Sequence, residues 1–351
     1  MKLVLSPEQQ QLREAVRAFL RTASPLPKVR DGYDPKVYAR LNGELGLSGL
    51  IVPEEYGGAG AGLAELAVAL EETGAALLPG PFLATVFATL AVTRLSPVPD
   101  KELLTGIAEG RITATLAQPD VEAGVSYDGT AVRGTLPRVL SGMEADVLVV
   151  PAPTGDGVVL LAVELGAAGV TRTALETLDI TRGQARVVME GAQARVLGRP
   201  AAGEVKSGIG DLLSVALAAE QLGVLRASLD AIVAYAKIRV AFGRYIGSYQ
   251  GVKHKLADMH CKLEQAESIV RYAAWAADES PEELPGAAAL AQAYVGRACF
   301  EVARDHLLLH GGIGFTWEHD AHLYYKRAKA DEVLLGPPRL HRARLAQLLE
   351  L

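Results

Sequence analysis

The sequence predicts an α+β fold with its helical and strand segments kept apart, and three observations carry that prediction. Helical periodicity fills residues 1–111, short β-branched runs between turn residues fill 112–204, and helical periodicity returns over 205–351. Blocks segregated in this way differ from the strand–helix alternation of a doubly wound sheet. No strand leading through GxGxxG into a helix is present, which disfavours a Rossmann nucleotide site. The expectation is an N-terminal helical domain, a small middle β domain and a C-terminal helical domain resembling a four-helix bundle, with linkers near 111 and 204.

The first helix starts at Ser6-Pro7, where Ser6 can cap and the missing N–H of Pro7 costs nothing. Leu12, Val16, Phe19 and Leu20 then share one face. Asp34-Pro35 is a second start, and Gly46 is placed to end that helix in a left-handed conformation. Leu50-Ile51-Val52 runs into the glycine-rich stretch ending Tyr56-Gly57-Gly58. A third helix holds Leu63, Leu66, Leu70 and the Glu71-Glu72 pair, and 101–109 closes the block. Strands are expected around Thr113-Thr115, Val121, Val125, Val132, Val139, Val147–Val150, Val158–Leu160 and Arg186–Met189. Beyond 205 the helical pattern is expected to hold to the end, and Val252, Leu256, Met259 and Leu263 form one stripe of a long helix.

Half the residues are hydrophobic, enough for a substantial core, yet only 5% are aromatic, so that core is built of Ala, Leu and Val. The formal charge of −6 argues against a nucleic-acid polyanion as partner. Cys261 and Cys299 lack metal-ligand or CxxC spacing and read as buried thiols of a reducing compartment. No secretory signal is visible in the opening residues, and no apolar run reaches the ~20 residues of a bilayer span. A cytoplasmic location with no membrane partner is expected.

Three segments go further. Arg239-Val240-Ala241-Phe242-Gly243-Arg244 leads to Gln250 and Leu256-Ala257-Asp258-Met259. His310-Gly311-Gly312-Ile313-Gly314-Phe315-Thr316-Trp317-Glu318 follows, and Gly46-Leu47 with Pro53–Gly60 precedes both. In order and separation these resemble the hallmarks of the acyl-CoA dehydrogenase family, along essentially the whole chain. The resemblance implies FAD as cofactor and an acyl-CoA thioester as substrate. It further implies that Arg239 forks pyrophosphate oxygens, Phe242 lies against a cofactor ring and Gln250 hydrogen-bonds to the cofactor. Gly311 and Gly312 would let backbone N–H groups approach it, with His310 alongside. Without the motif, Arg239 reads as a surface cation, the glycine pair as a helix-ending turn, and His310 as a packing or capping histidine. Phe315 and Trp317 read as core, with cavity lining as the alternative.

The same resemblance exposes departures. The family's two glutamate positions for the base that removes the α-proton fall on Leu335 and Leu213. Neither can accept a proton, so no catalytic residue is assigned. Asp211, Glu220, Glu318, Asp331 and Glu332 are the nearby carboxylates, each more simply a cap, a surface charge or an ion-pair member. The flavin-cradling loop after the first strand reads Leu116–Gly124 without Gly-x-Gly-Ser. Pro137–Gly142 replaces a Trp-containing strand, and Leu308 stands where a glutamine is usual. Residues offered to a neighbour's flavin are kept while those for the chain's own are lost. That asymmetry resembles the shorter subunit of heteromeric α2β2 dehydrogenases of bacterial sterol side-chain breakdown, with a second acyl-CoA dehydrogenase-like subunit and an electron-transfer acceptor as partners. A homomeric enzyme with a displaced carboxylate and a non-enzymatic assembly subunit are the alternatives.

Overall fold

The structure, a computed structural model, describes residues 3–96, 99–117, 124–155 and 157–351, the side chains of Lys206 and Ser207 excepted. Among the described residues five α-helices come first: α1 (Pro7–Ala23), α2 (Pro35–Leu45), α3 (Leu63–Ala75), α4 (Phe82–Leu95) and α5 (Lys101–Ala108). Among the described residues eight strands follow: β1 (Ala114–Leu116), β2 (Ser126–Tyr127), β3 (Ala131–Leu140), β4 (Val147–Thr154), β5 (Gly157–Glu164), β6 (Val170–Ala174), β7 (Gln184–Gln193) and β8 (Arg195–Gly198). Then come α6 (Ile209–Ile238), the short strands β9 (Val240–Ala241) and β10 (Arg244–Tyr245), and α7 (Gln250–Glu279), α8 (Leu284–Leu309), α9 (Ala321–Leu334) and α10 (Pro338–Leu348). The α+β class holds.

The predicted helix starts are present. Ser6 and Gln9 form a reciprocal capping box, Asp34 accepts from the Lys36 N–H, and Gly46 closes α2 at φ +62°. One expectation fails: the helical pattern does not run unbroken from 205, because the hairpin β9–β10 interrupts it after Ile238. Two residues in the left-handed region, Phe242 and Gly243, make that turn. Strand β6, with its mostly exposed polar face, carried no apolar signal to announce it. The expected strand residue Val121 lies outside the described residues.

The chain forms two compact units. One comprises 31–62 and 79–213. In it two four-stranded sheets, ordered β1-β4-β5-β8 and β2-β3-β7-β6, enclose a core that includes Leu148, Val150, Leu161 and Val163 of one and Val132, Leu136, Val187 and Met189 of the other. Alternation along β7 (Ala185, Val187 and Met189 in, Arg186 out) fixes which face is buried. Strand β5 is buried on both faces over Val159–Val163.

The other unit comprises 1–30, 63–78 and 214–351, and its regular structure among the described residues is helical apart from β9–β10. Helices α3 and α6 approach closely enough to require glycine: a Cβ on Gly223 would lie 1.8 Å from the Glu71 carbonyl oxygen, and one on Gly74 2.2 Å from that of Glu220. Beside this crossing, the buried Glu71 carboxylate pairs with Arg13 (3.1 Å), Arg226 (2.8 Å) and Arg271. Burial alone would raise the Glu71 pKa, but the three guanidiniums hold it below the usual carboxylate value. By length and composition α6 could cross a bilayer, yet 89% of its most apolar window is buried inside the protein, as in a core helix. Of the two cysteines only Cys299 is buried. Cys261 is exposed, because it faces away from the Met259–Leu263 stripe that points inward on α7.

Candidate cofactor-binding site

The site is built where α6, the β9–β10 hairpin and the end of α8 meet, all within the helical unit. Arg239 continues the last turn of α6, its N–H donating to the Tyr235 carbonyl (2.9 Å), while its own carbonyl accepts from Ile246 N–H (2.8 Å). This pins the backbone on both sides and leaves the guanidinium exposed. The Arg239 side chain has no hydrogen bond or ion pair among the described residues.

Beyond it, Ala241 pairs with Arg244 and Val240 with Tyr245, so Phe242 and Gly243 form a two-residue loop at φ +51° and +78°. Both positions being left-handed is the requirement of a type I′ turn. Glycine meets it freely, whereas phenylalanine does so at a cost of roughly 1 kcal/mol. Phe242 is nonetheless 98% exposed, so no packing within the chain offsets that strain. Tyr249 braces the hairpin: its hydroxyl donates to the Ala241 carbonyl (2.9 Å) and its ring lies 3.8 Å from the Arg244 guanidinium carbon. Gln250, the first residue of α7, is exposed.

Across from Arg239, α8 ends at Leu309 and the chain turns at Gly311, φ +66°. A Cβ on Gly311 or Gly312 would meet nothing within 4 Å. Backbone conformation therefore calls for glycine at Gly311, while no neighbour within the chain requires it at Gly312. His310 is buried before this turn, its Nδ1–H donating to the His306 carbonyl (2.8 Å) in the tautomer that contact selects. Its ring lies 4.3 Å from those of Tyr235 and His319, tilted against each. Burial lowers the His310 pKa, against the pull of the His306 carbonyl and with added repulsion from His319. His306, still more deeply buried, is pushed down to about 3, chiefly by desolvation. Both imidazoles are neutral near pH 7.

Arg239, His310, Gly311 and Gly312 thus line one cleft of about 460 Å³. Phe242 and Gln250 do not line it; they stand on the adjoining hairpin tip and helix start. Sequence reasoning missed Tyr235, Ile246, Leu309 and Ile313 in the wall. Tyr235 lies one helical turn before Arg239, a spacing that could have found it. Phe315 and Trp317, read as core, are 64% and 66% exposed. The short helical turn Gly311–Phe315 directs them outward, and Lys326 lies 4.2 Å over the Trp317 ring. With Ile238, Val240, Phe242, Tyr245, Leu308 and Ile313 they make an unusually apolar exposed set.

The candidate bases fare differently. Leu213 is buried in α6 and Leu335 half-buried just past α9. Glu220 is sequestered in the core on the fully buried Arg327 (3.2 Å), and Asp331 is wholly buried. Glu332 is held by Lys329 (2.7 Å) and Arg297 (3.5 Å), and Asp211 is buried on α6. Glu318 is fully exposed, with its pKa lowered by its own backbone N–H and Thr316. In the flavin-cradling stretch, 118–123 lie outside the described residues. Pro137–Gly142 forms the end of β3 and a turn with Ser141 at φ +50°.

A dinucleotide's pyrophosphate needs a fixed cation and N–H groups approachable without an intervening Cβ, and its rings need flat apolar faces. The unpaired Arg239, the open Gly311-Gly312 backbone and the exposed Phe242 ring fit such a group.

Residues 6–109 match the family model for the acyl-CoA dehydrogenase N-terminal domain, and residues 214–349 that for the C-terminal domain. The acyl-CoA dehydrogenase IpdE2 of Mycolicibacterium smegmatis is 36% identical over 348 residues, 97% of this chain and 98% of its own length. Among solved structures, the steroid ACAD Tcur3481-Tcur3483 superposes with a TM-score of 0.87 at 29% identity, covering 98% of each chain. The ChsE4-ChsE5 complex of Mycobacterium tuberculosis gives 0.87 at 27%, covering 100% of this chain and 99% of that one. This chain belongs to the acyl-CoA dehydrogenase family.

Proposed function

We propose that the chain is one subunit of a heteromeric, FAD-dependent acyl-CoA dehydrogenase, and that it holds the nucleotide end of a flavin whose isoalloxazine and catalytic base belong to a second dehydrogenase-like subunit. One observation carries the proposal. Arg239, Gly311 and Gly312 of the cleft are kept and exposed, and the Arg239 side chain has no partner among the described residues, while both positions expected for the base are leucines. Relatives described as a steroid ACAD and as a two-protein complex support the α2β2 assembly and a bulky, sterol-type acyl-CoA substrate. An electron-transfer acceptor would complete the cycle. The core burial of Glu220 and Asp331 counts against a displaced base.

Bound FAD supplies the hydride acceptor for α,β-dehydrogenation of the thioester. This chain's residues bind and align it. Arg239 neutralises pyrophosphate through a planar fork, and the Gly311-Gly312 backbone supplies donors. Phe242 covers a ring face and Gln250 hydrogen-bonds to the cofactor. His310, neutral and tied through Nδ1–H to the His306 carbonyl, holds the turn and leaves Nε2 as an acceptor. The exposed apolar residues around the hairpin and Gly311 turn become the buried subunit interface.

The test is purification of the chain alone and co-expressed with a dehydrogenase-like partner, followed by visible absorbance and turnover. The expected result is colourless, inactive protein alone and a yellow, active complex. Stoichiometric flavin and turnover from the isolated chain would sink the proposal.

A further inference from the structure

A second cavity of the helical unit, about 400 Å³ in volume, lies where the middle of α8, the end of α9 and the start of α10 meet. That volume is within the range of small-molecule sites. Each helix brings a cation to its wall: Arg297 from α8, Lys329 from α9, and both Arg339 and Arg342 from α10. All four reach solvent. Arg339 and Arg342 are exposed, and the side chains of Arg297 and Lys329 are 49% and 43% exposed.

The carboxylates nearby do not balance these charges. Glu332, the acidic residue of the described wall, is buried and already held by Lys329 (2.7 Å) and Arg297 (3.5 Å). Behind the wall, Arg297 also meets Glu301 (2.8 Å), which is shared with Lys262 (2.6 Å), and Glu220 and Asp331 are buried with Arg327. Lys262 and Arg327 thus add two cations, and Glu301, Glu220 and Asp331 three carboxylates. Six positive charges then stand against four negative ones, in a chain whose net charge is −6. The excess sits at the mouth. Arg339 and Arg342 have no hydrogen bond or ion pair among the described residues, and one turn apart on α10 they repel each other. The Arg339 backbone N–H is also without an acceptor there, because Pro337 at the N-cap offers no capping side chain. The dipole of α10 adds positive potential at the same end. His341 holds this end in place, its Nε2–H donating to the Leu335 carbonyl (3.0 Å). Three of the four wall cations are arginines, whose planar forks match phosphate oxygens. A single fork satisfies a carboxylate, whereas a phosphate dianion has acceptor oxygens for groups arriving from three helices. Val333, Pro337 and Pro338 line the rest and leave an apolar surface for the organic part of an ester.

We infer that this cavity binds a phosphate dianion, free or as a phosphomonoester, received by Arg339, Arg342 and the Arg339 N–H, with Arg297 and Lys329 supplying further charge. The site is independent of the flavin reading and is tested without flavin. The isolated chain carrying Arg239→Ala, in which the cofactor cleft has lost its own anion-binding cation, is titrated calorimetrically with inorganic phosphate, AMP and adenosine, and with potassium chloride at matched ionic strength. The expected result is saturable binding of phosphate and AMP and none of adenosine or chloride. Tighter binding of AMP than of phosphate would assign a phosphomonoester, and equal binding free phosphate. Adding Arg339→Gln with Arg342→Gln should raise Kd about tenfold or more, through loss of charge-assisted contacts. Both side chains are exposed and without partners among the described residues, so the fold should stand, which the melting temperature checks. Lys36→Gln with Lys101→Gln removes the same charge from exposed positions of the other unit and should leave Kd unchanged. Absence of saturable phosphate binding, an equal response to adenosine, or an equal effect of the two double substitutions would overturn the assignment.

Discussion

Replacing Arg239 by alanine separates cofactor binding from folding. The guanidinium is exposed and has no hydrogen bond or ion pair among the described residues, so its removal strands no buried partner there. Surface changes of that kind alter stability by about 0.5 kcal/mol or less. A bidentate, charge-assisted contact with pyrophosphate is worth about 1.5–3 kcal/mol, so Kd for FAD in the assembled complex should rise roughly 10- to 150-fold. Arg239→Lys keeps the charge but not the planar fork, and should fall between the two. The assay is flavin release on dilution, read by the gain in free-flavin fluorescence, beside thermal melting of the isolated variant chain. Wild-type flavin retention in Arg239→Ala, with the complex intact, would refute the role given to this residue. A large drop in melting temperature of the isolated chain would refute the claim that the side chain is idle in the fold.

Phe242→Gly removes left-handed strain of roughly 1 kcal/mol and should leave the isolated chain at least as stable, while weakening flavin retention in the complex; chemical denaturation and flavin release read the two effects. Gly223→Ala drives a methyl against the Glu71 carbonyl oxygen and should destabilise by about 1–3 kcal/mol or more in the same denaturation assay. Glu71→Gln leaves the buried guanidinium of Arg271 and the half-buried ones of Arg13 and Arg226 short of charge and should cost about 3–5 kcal/mol near neutral pH. The pH dependence of Glu71 follows from its lowered folded-state pKa: its stabilisation is present above the unfolded value of 4.5 and is lost as pH falls through the folded one. The gap between wild type and Glu71→Gln should therefore narrow on acidification, and a gap that stays constant to low pH would remove Glu71 as its source.

Local chemistry made much of this legible before any coordinates. Ser6 with Pro7, Asp34 with Pro35, and Gly46 act on atoms within a few residues of themselves, and each sits in the structure where its sequence implied. Arg239 and the Gly311-Gly312 pair, which line one cleft, were marked by the family resemblance rather than by local chemistry. The hairpin within the helical stretch was also encoded locally, in Ala241-Phe242-Gly243-Arg244. It was overlooked because apolar periodicity, which averages over a dozen residues, is blind to a two-residue loop.

What the sequence could not express is which distant residues share a space. Nothing in the order of residues announces that Glu71 meets Arg13, Arg226 and Arg271, or that Arg327 buries itself on Glu220. Nor does it show the rings of Tyr235 and His319 both meeting His310. Phe315 and Trp317 looked like core on hydrophobicity alone, and only the turn after Gly311 directs them to solvent. By itself, then, the sequence determined several helix termini and the α+β class, because caps and periodicity are short-range properties. Tertiary structure alone decided the walls of both cavities, the fate of the remaining carboxylates and the exposed apolar face, because burial and pairing depend on chain segments brought together from far apart.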